Sequence, residues 1–86
     1  SDQYDLGLQG FGETEGDPAA IRDLGNGAEV RFYSNDAGQL IGAAGLGPSN
    51  AVSRDIKIAQ RLAGATLDPA LLADANQNMK KLLRAA

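Results

Sequence analysis

Near residue 48 the spacing of apolar side chains changes once, from every second residue to every third or fourth, and it does not change back. A strand-type half followed by a helix-type half predicts an α+β fold, with helices laid on an antiparallel sheet. The first half opens on Tyr4-Asp5-Leu6-Gly7-Leu8-Gln9, whose alternation predicts a half-buried strand over 4–11. Residues 19–24 and 29–34 flank Gly25-Asn26-Gly27. Asn-Gly tolerates the two positive φ angles that a tight type I′ hairpin needs. Asn35-Asp36-Ala37-Gly38 predicts a second reversal, with Gly38 left-handed. Residues 39–46 are apolar without alternation, as expected of a strand covered on both faces. The four strands read as an antiparallel meander over residues 4–46.

In the second half, at 100° per residue, Val52, Ile56, Ile58, Ala59, Leu62 and Ala63 fall within an arc of about 160°. Arg54, Lys57 and Arg61 fall within about 60° on the opposite side. This predicts an amphipathic helix over 51–63, ended by Gly64. Asp55 is read at the edge of the apolar arc, as a first-turn carboxylate favoured by the helix dipole. Asp68-Pro69 predicts an N-cap with proline at the first helical position. Asp74 with Gln77 resembles a capping box for a last helix over 76–84, with Met79, Leu82 and Leu83 on one face. Lys80, Lys81 and Arg84 lie elsewhere on that helix.

Eighty-six residues make one small domain. Cysteine and histidine are both absent, which removes disulfides, thiolate chemistry, the usual zinc ligand sets and imidazole catalysis. Zero cysteines fit a reducing cytosol, so a cytoplasmic location is expected. No apolar run approaches the roughly 18–20 residues that cross a membrane. The net charge of −3 hides an asymmetry: residues 1–50 carry eight acids against Arg22 and Arg31, a net −6, whereas residues 51–86 carry three acids against six bases, a net +3. Ser1 stands where an initiator Met would, which suggests a domain cut from a longer chain; Met removal or a tag scar would also explain it.

Gly45-Leu46-Gly47-Pro48-Ser49-Asn50 follows a strand and precedes a helix, as a phosphate-binding turn does. A dinucleotide fingerprint needs a third glycine where Asn50 stands and a βαβ unit around it. Helix follows helix here, so the stretch reads as a glycine-rich turn with Ser49 or Asn50 capping the helix. The acids between Glu13 and Asp17 lie in a polar loop with nothing apolar to raise a pKa, which reads as a solvated loop rather than a hydrolytic or metal site. Tyr4, Phe32 and Tyr33 are too few, among too many acids, for a nucleic-acid platform. The basic helix faces remain. They read either as ordinary solvated surfaces favoured by the helix dipole or as a docking surface for an acidic partner.

Three segments together resemble one family. Ser1-Asp2-Gln3-Tyr4-Asp5-Leu6 with Leu8-Gln9 looks like the opening of the C-terminal domain of FAD-dependent ferredoxin reductases, the putidaredoxin, rubredoxin and biphenyl-dioxygenase ferredoxin reductase family. Gly38-Gln39-Leu40-Ile41-Gly42-Ala43, followed by Arg54-Asp55, is similar to that domain's next strand and helix start. Leu67-Asp68-Pro69-Ala70-Leu71-Leu72-Ala73-Asp74, with Met79-Lys80-Lys81-Leu82 after it, resembles its ending. The segments come in the family's order and cover nearly the whole chain. Gly7 stands where the family usually carries a basic residue, and the stretch 45–50 is glycine-rich where the family often has Val-Asn and a proline.

The resemblance implies a parent flavoenzyme with FAD and NAD(P)H domains upstream of residue 1 and a fold akin to the interface domain of glutathione-reductase-like proteins. It places Ser1, Asp2 and Gln3 at the seam with the FAD domain, while this piece holds no flavin and catalyses nothing alone. The parent would reduce an acidic ferredoxin or rubredoxin, with Arg54, Lys57 and Arg61 bordering the docking site and Lys80, Lys81 and Arg84 as a second candidate set. No catalytic or metal-ligating residue is assigned, and no nucleic acid or membrane is expected as a partner. The reading from another class is a free-standing α+β interaction or dimerisation module with no redox role.

Overall fold

The computed structural model describes residues 9–47 and 50–85. Four strands, β1 (Gln9–Gly12), β2 (Ala20–Gly25), β3 (Ala28–Ser34) and β4 (Leu40–Leu46), precede three helices, α1 (Asn50–Arg61), α2 (Pro69–Ala73) and α3 (Met79–Ala85). The change of period therefore falls where the sheet gives way to helices, and the fold is α+β. Residues 4–8 of the expected first strand lie outside the described residues.

All strand pairs are antiparallel, but the order is β1-β4-β3-β2. Only β2, β3 and β4 form a meander; β1 pairs with β4 rather than with its neighbour in sequence. The polar connection 13–19 makes this feasible. It has to cross three strand spacings, about 14 Å, well within the reach of seven residues. Its ends are pinned by hydrogen bonds from Glu13 N–H to Ile41 O (3.0 Å) and from Ala19 N–H to Phe32 O (2.8 Å). The outcome puts β4 in the interior of the sheet.

β4 is covered on both faces at one end only. Glu13 backbone presses on Gly42 so closely that a Cβ there would meet Glu13 O at 2.1 Å. At the other end Leu46 remains 44% exposed. The hairpin follows its local code: Asn26 and Gly27 have φ of 53° and 82°, both positive as a type I′ turn requires. Asn35 closes the second reversal by accepting Ala37 N–H (3.0 Å) and Gln39 N–H (2.9 Å) at Oδ1, with Gly38 at φ 80°.

Val30, Phe32, Leu40 and Ala43 from the sheet meet Val52, Ile56, Ala59 and Leu62 from α1 and the turn after it, all buried. Gly45 lets α1 approach, since a Cβ there would lie 2.4 Å from Val52 Cγ1. Ala63, expected on the apolar arc, is exposed, because α1 has ended at Arg61 and the chain is turning through Gly64. α2 packs on β2, and α3 packs on α1 through its buried Met79 and Leu82.

The last two helices start differently from one another. Asp68 caps α2 as expected, its Oδ1 accepting Ala70 N–H (2.9 Å) with Pro69 behind it. Asp74 does not open α3. Its Oδ1 takes Asn76 N–H (2.9 Å) in a tight turn, and Asn78 does the capping by accepting Lys80 N–H (2.9 Å). The helix expected over 76–84 accordingly runs from Met79.

Candidate functional site

Alternation along β2 sends Ala20, Arg22 and Leu24 toward the helices and Ile21 and Asp23 outward. Arg22 is thus carried into the core, where it is 3% exposed. A buried guanidinium has to find partners for its charge and its N–H groups. Nη1 donates to Leu72 O (3.3 Å), near the end of α2, and Nη2 donates to Gln77 O in the turn before α3. Nε lies 3.2 Å from Asp55 Oδ2, close enough for strong attraction, although neither atom makes an aligned hydrogen bond. One side chain thereby joins β2, α1, α2 and the 74–77 turn.

Asp55 is 1% exposed and is no solvated first-turn carboxylate. At 100° per residue it falls between Leu62 and Ala59, inside the apolar arc rather than at its edge. Its Oδ1 also lies 3.5 Å from Nε of Arg54, whose side chain is 61% exposed. Two arginines share one carboxylate.

Arg22 forms the floor of a cleft of about 270 Å³ between the start of α1 and the start of α3, with Arg54 and Lys80 on its rim and Asn76, Gln77 and Asn78 along its wall. The two sets of helix cations therefore meet at one point, Arg54 with Lys80. Lys57 and Arg61 are exposed farther along α1, and Lys81 and Arg84 are exposed along α3. Packing of α3 on α1 makes the two helices neighbours. Ser1, Asp2 and Gln3 lie outside the described residues.

A dinucleotide would need the glycines of 45–50 to be open to a phosphate. They are occupied by the chain itself. Gly45 lies under Val52, and a Cβ on Gly47 would meet Ala28 Cα at 2.7 Å. The turn is there for packing, and the described residues do not fit a pyrophosphate at this place. Pro48 and Ser49 lie outside the description, and Asn50 is the first residue of α1. Glu13, Glu15 and Asp17 are all exposed in their loop. Phe32 is 0% exposed and Tyr33 7%, so neither ring offers a stacking platform. Among the described residues no group of three or more His, Cys, Asp or Glu is placed to hold a metal ion, and no helix is long and apolar enough to cross a membrane.

The outer face of the sheet carries a different pair. Arg31 Nε donates to Glu29 Oε2 at 2.5 Å. That hydrogen bond and the carboxylate's charge raise the Arg31 pKa above its already high ordinary value, so the guanidinium stays charged throughout. The pair borders a shallow depression with Tyr33, Ala44 and Leu46.

Arg22 and the depth of Asp55 are what sequence reading missed. The signal was present in both: an arginine two residues from Ala20 and Leu24 on one strand face, and an acid inside an apolar helical arc.

No curated protein and no solved structure matches the chain significantly. The family described as Reductase C-terminal matches residues 1–83, a span that holds the three sequence segments, the antiparallel sheet and the helices up to the last residues of α3, and the chain belongs to that family, the C-terminal domain of ferredoxin and pyridine-nucleotide reductases.

Proposed function

We propose that the chain is the C-terminal domain of an FAD-dependent NAD(P)H:ferredoxin or rubredoxin reductase, in which it completes the seam with the flavin domain and contributes to docking of an acidic redox partner. Family membership supports the oxidoreductase context. FAD and NAD(P)H belong to upstream domains of the parent in this reading; the flavin supplies the redox chemistry, and this piece supplies surface. Ser1, Asp2 and Gln3 are its proposed contribution to the seam.

The observation that carries the docking role is the segregation of exposed cations. Arg54, Lys57 and Arg61 on α1 and Lys80, Lys81 and Arg84 on α3 are all exposed on two helices that pack together. Electron carriers of the ferredoxin type are commonly acidic, and transient redox encounters use small interfaces steered by charge. A basic helical surface suits that task.

Two measurements test the reading. The coding sequence before Ser1 should contain two Gly-x-Gly-x-x-Gly segments and a Trp just ahead of Ser1; an unrelated domain there refutes the parent. In the full-length enzyme, Lys57→Glu with Arg61→Glu should slow association with the acceptor by about tenfold at low salt, the difference shrinking as salt screens exposed charges. Flavin reduction by NAD(P)H is the internal control, since the acceptor takes no part in it. An unchanged association rate with unchanged salt dependence refutes the docking role.

A further inference from the structure

We infer that the cleft between α1 and α3 is an oxyanion-binding site. Charge imbalance carries the inference. Asp55 is the single carboxylate between two guanidiniums, 3.2 Å from Arg22 Nε and 3.5 Å from Arg54 Nε. Lys80 adds a third cation at the rim. Asp74, the acid nearest in sequence to the 75–80 wall, does not line the cleft, and its Oδ1 accepts Asn76 N–H at 2.9 Å in the turn beside it. The recess is therefore left with an excess of positive charge, and its base is too buried for water to screen it fully.

The donors are divided between floor and rim. Arg22 spends one N–H of each Nη on the carbonyls of Leu72 and Gln77, so what it brings to an anion at the floor is chiefly its charge. Arg54 is 61% exposed in its side chain and is able to swing its guanidinium over the cleft. Asn78 spends Oδ1 on Lys80 N–H at 2.9 Å, which leaves its NH₂ as the group it has to offer. A planar guanidinium, an ammonium and an amide NH₂ around a recess of about 270 Å³ suit an oxyanion that accepts charge-assisted hydrogen bonds. Free phosphate and the carboxylate of an acidic side chain share that chemistry. This site does not depend on the docking reading, because inorganic phosphate tests it with no acceptor present.

The experiment is a titration of the isotope-labelled chain, followed by amide and side-chain NMR, at constant ionic strength. Inorganic phosphate, an acetylated diglutamate peptide and chloride are the three arms. Saturable shifts confined to residues 54 and 75–80 with phosphate or peptide, absent with chloride, support the site. Stronger binding of phosphate assigns it to a free anion, and stronger binding of the peptide assigns it to an acidic side chain. Arg54→Gln with Lys80→Gln, both exposed positions, should weaken phosphate binding by about tenfold or more, whereas Lys57→Gln with Arg61→Gln, outside the cleft, should leave phosphate binding within about twofold. Equal shifts in all three arms, or equal loss from the two double variants, overturn the proposal by showing only general attraction to a basic surface.

Discussion

Two arginines on adjacent strands of the same sheet each pair with a carboxylate, Arg22 with Asp55 on the helix side and Arg31 with Glu29 on the outer side. Their chemistry is the same and their settings are opposite. The side chains of the first pair are 3% and 2% exposed, and those of the second 47% and 26%. Glu29 and Arg31 are two residues apart on one strand, so their bond closes a local loop and joins nothing distant. Arg22 and Asp55 come from β2 and α1, and the guanidinium continues to Leu72 and Gln77. The comparison teaches that burial and sequence separation, not the bond itself, decide whether an ion pair organises a fold.

The largest effect should come from removing one member of the buried pair. Arg22→Met leaves Asp55 buried with only Arg54 nearby and deprives the Leu72 and Gln77 carbonyls of their donor. Urea denaturation should show a loss of about 3–5 kcal/mol. A loss below about 1 kcal/mol would place Arg22 with the surface pairs.

A change near the pair that leaves its charges alone separates packing from electrostatics. Gly45→Ala puts a methyl where Val52 Cγ1 would be 2.4 Å away. Val52 is fully buried and β-branched, hence slow to yield, so the variant should lose about 1–3 kcal/mol in the same assay. An unchanged midpoint would mean that α1 rides freely over β4.

Asp68→Ala removes the Oδ1 acceptor that holds Ala70 N–H, and should cost about 1 kcal/mol. Its effect should combine additively with Gly45→Ala, since Asp68 caps α2 whereas Gly45 lies in β4 beneath α1. The smallest effect belongs to the outer face. Arg31→Gln should leave the thermal midpoint where it is, because the guanidinium it removes is exposed and serves a neighbour on its own strand. A clear fall in the midpoint would show that the outer pair, too, joins distant parts.

Much of this architecture was legible from period and punctuation. Asn26-Gly27, Asn35–Gly38 and Asp68-Pro69 act through their own backbone geometry, so the sequence around them is enough. The partner of β1 was not legible, because antiparallel pairing with β2 or β4 satisfies the same alternation; the choice is made by a polar connection long enough to cross the sheet. Asp74 and Gln77 misled for a related reason. The spacing of a capping box was there, but Asp74 closes a turn and Gln77 gives its carbonyl to an arginine 55 residues away. The candidate site was half legible: Arg54, Lys57 and Arg61 follow from one helical wheel, whereas the meeting of Arg54 with Lys80 over Arg22 depends on three elements packing together.

The central claim is that the buried pair couples the sheet to the helices that carry the exposed cations. A double-mutant cycle tests it: Arg22→Met, Asp55→Leu and the two combined, each unfolded in urea. The account predicts two severe single losses and a double variant more stable than their sum implies, with a coupling of about 2–3 kcal/mol. Two losses that simply add would contradict it, and would reduce Arg22 and Asp55 to two buried charges that happen to be neighbours.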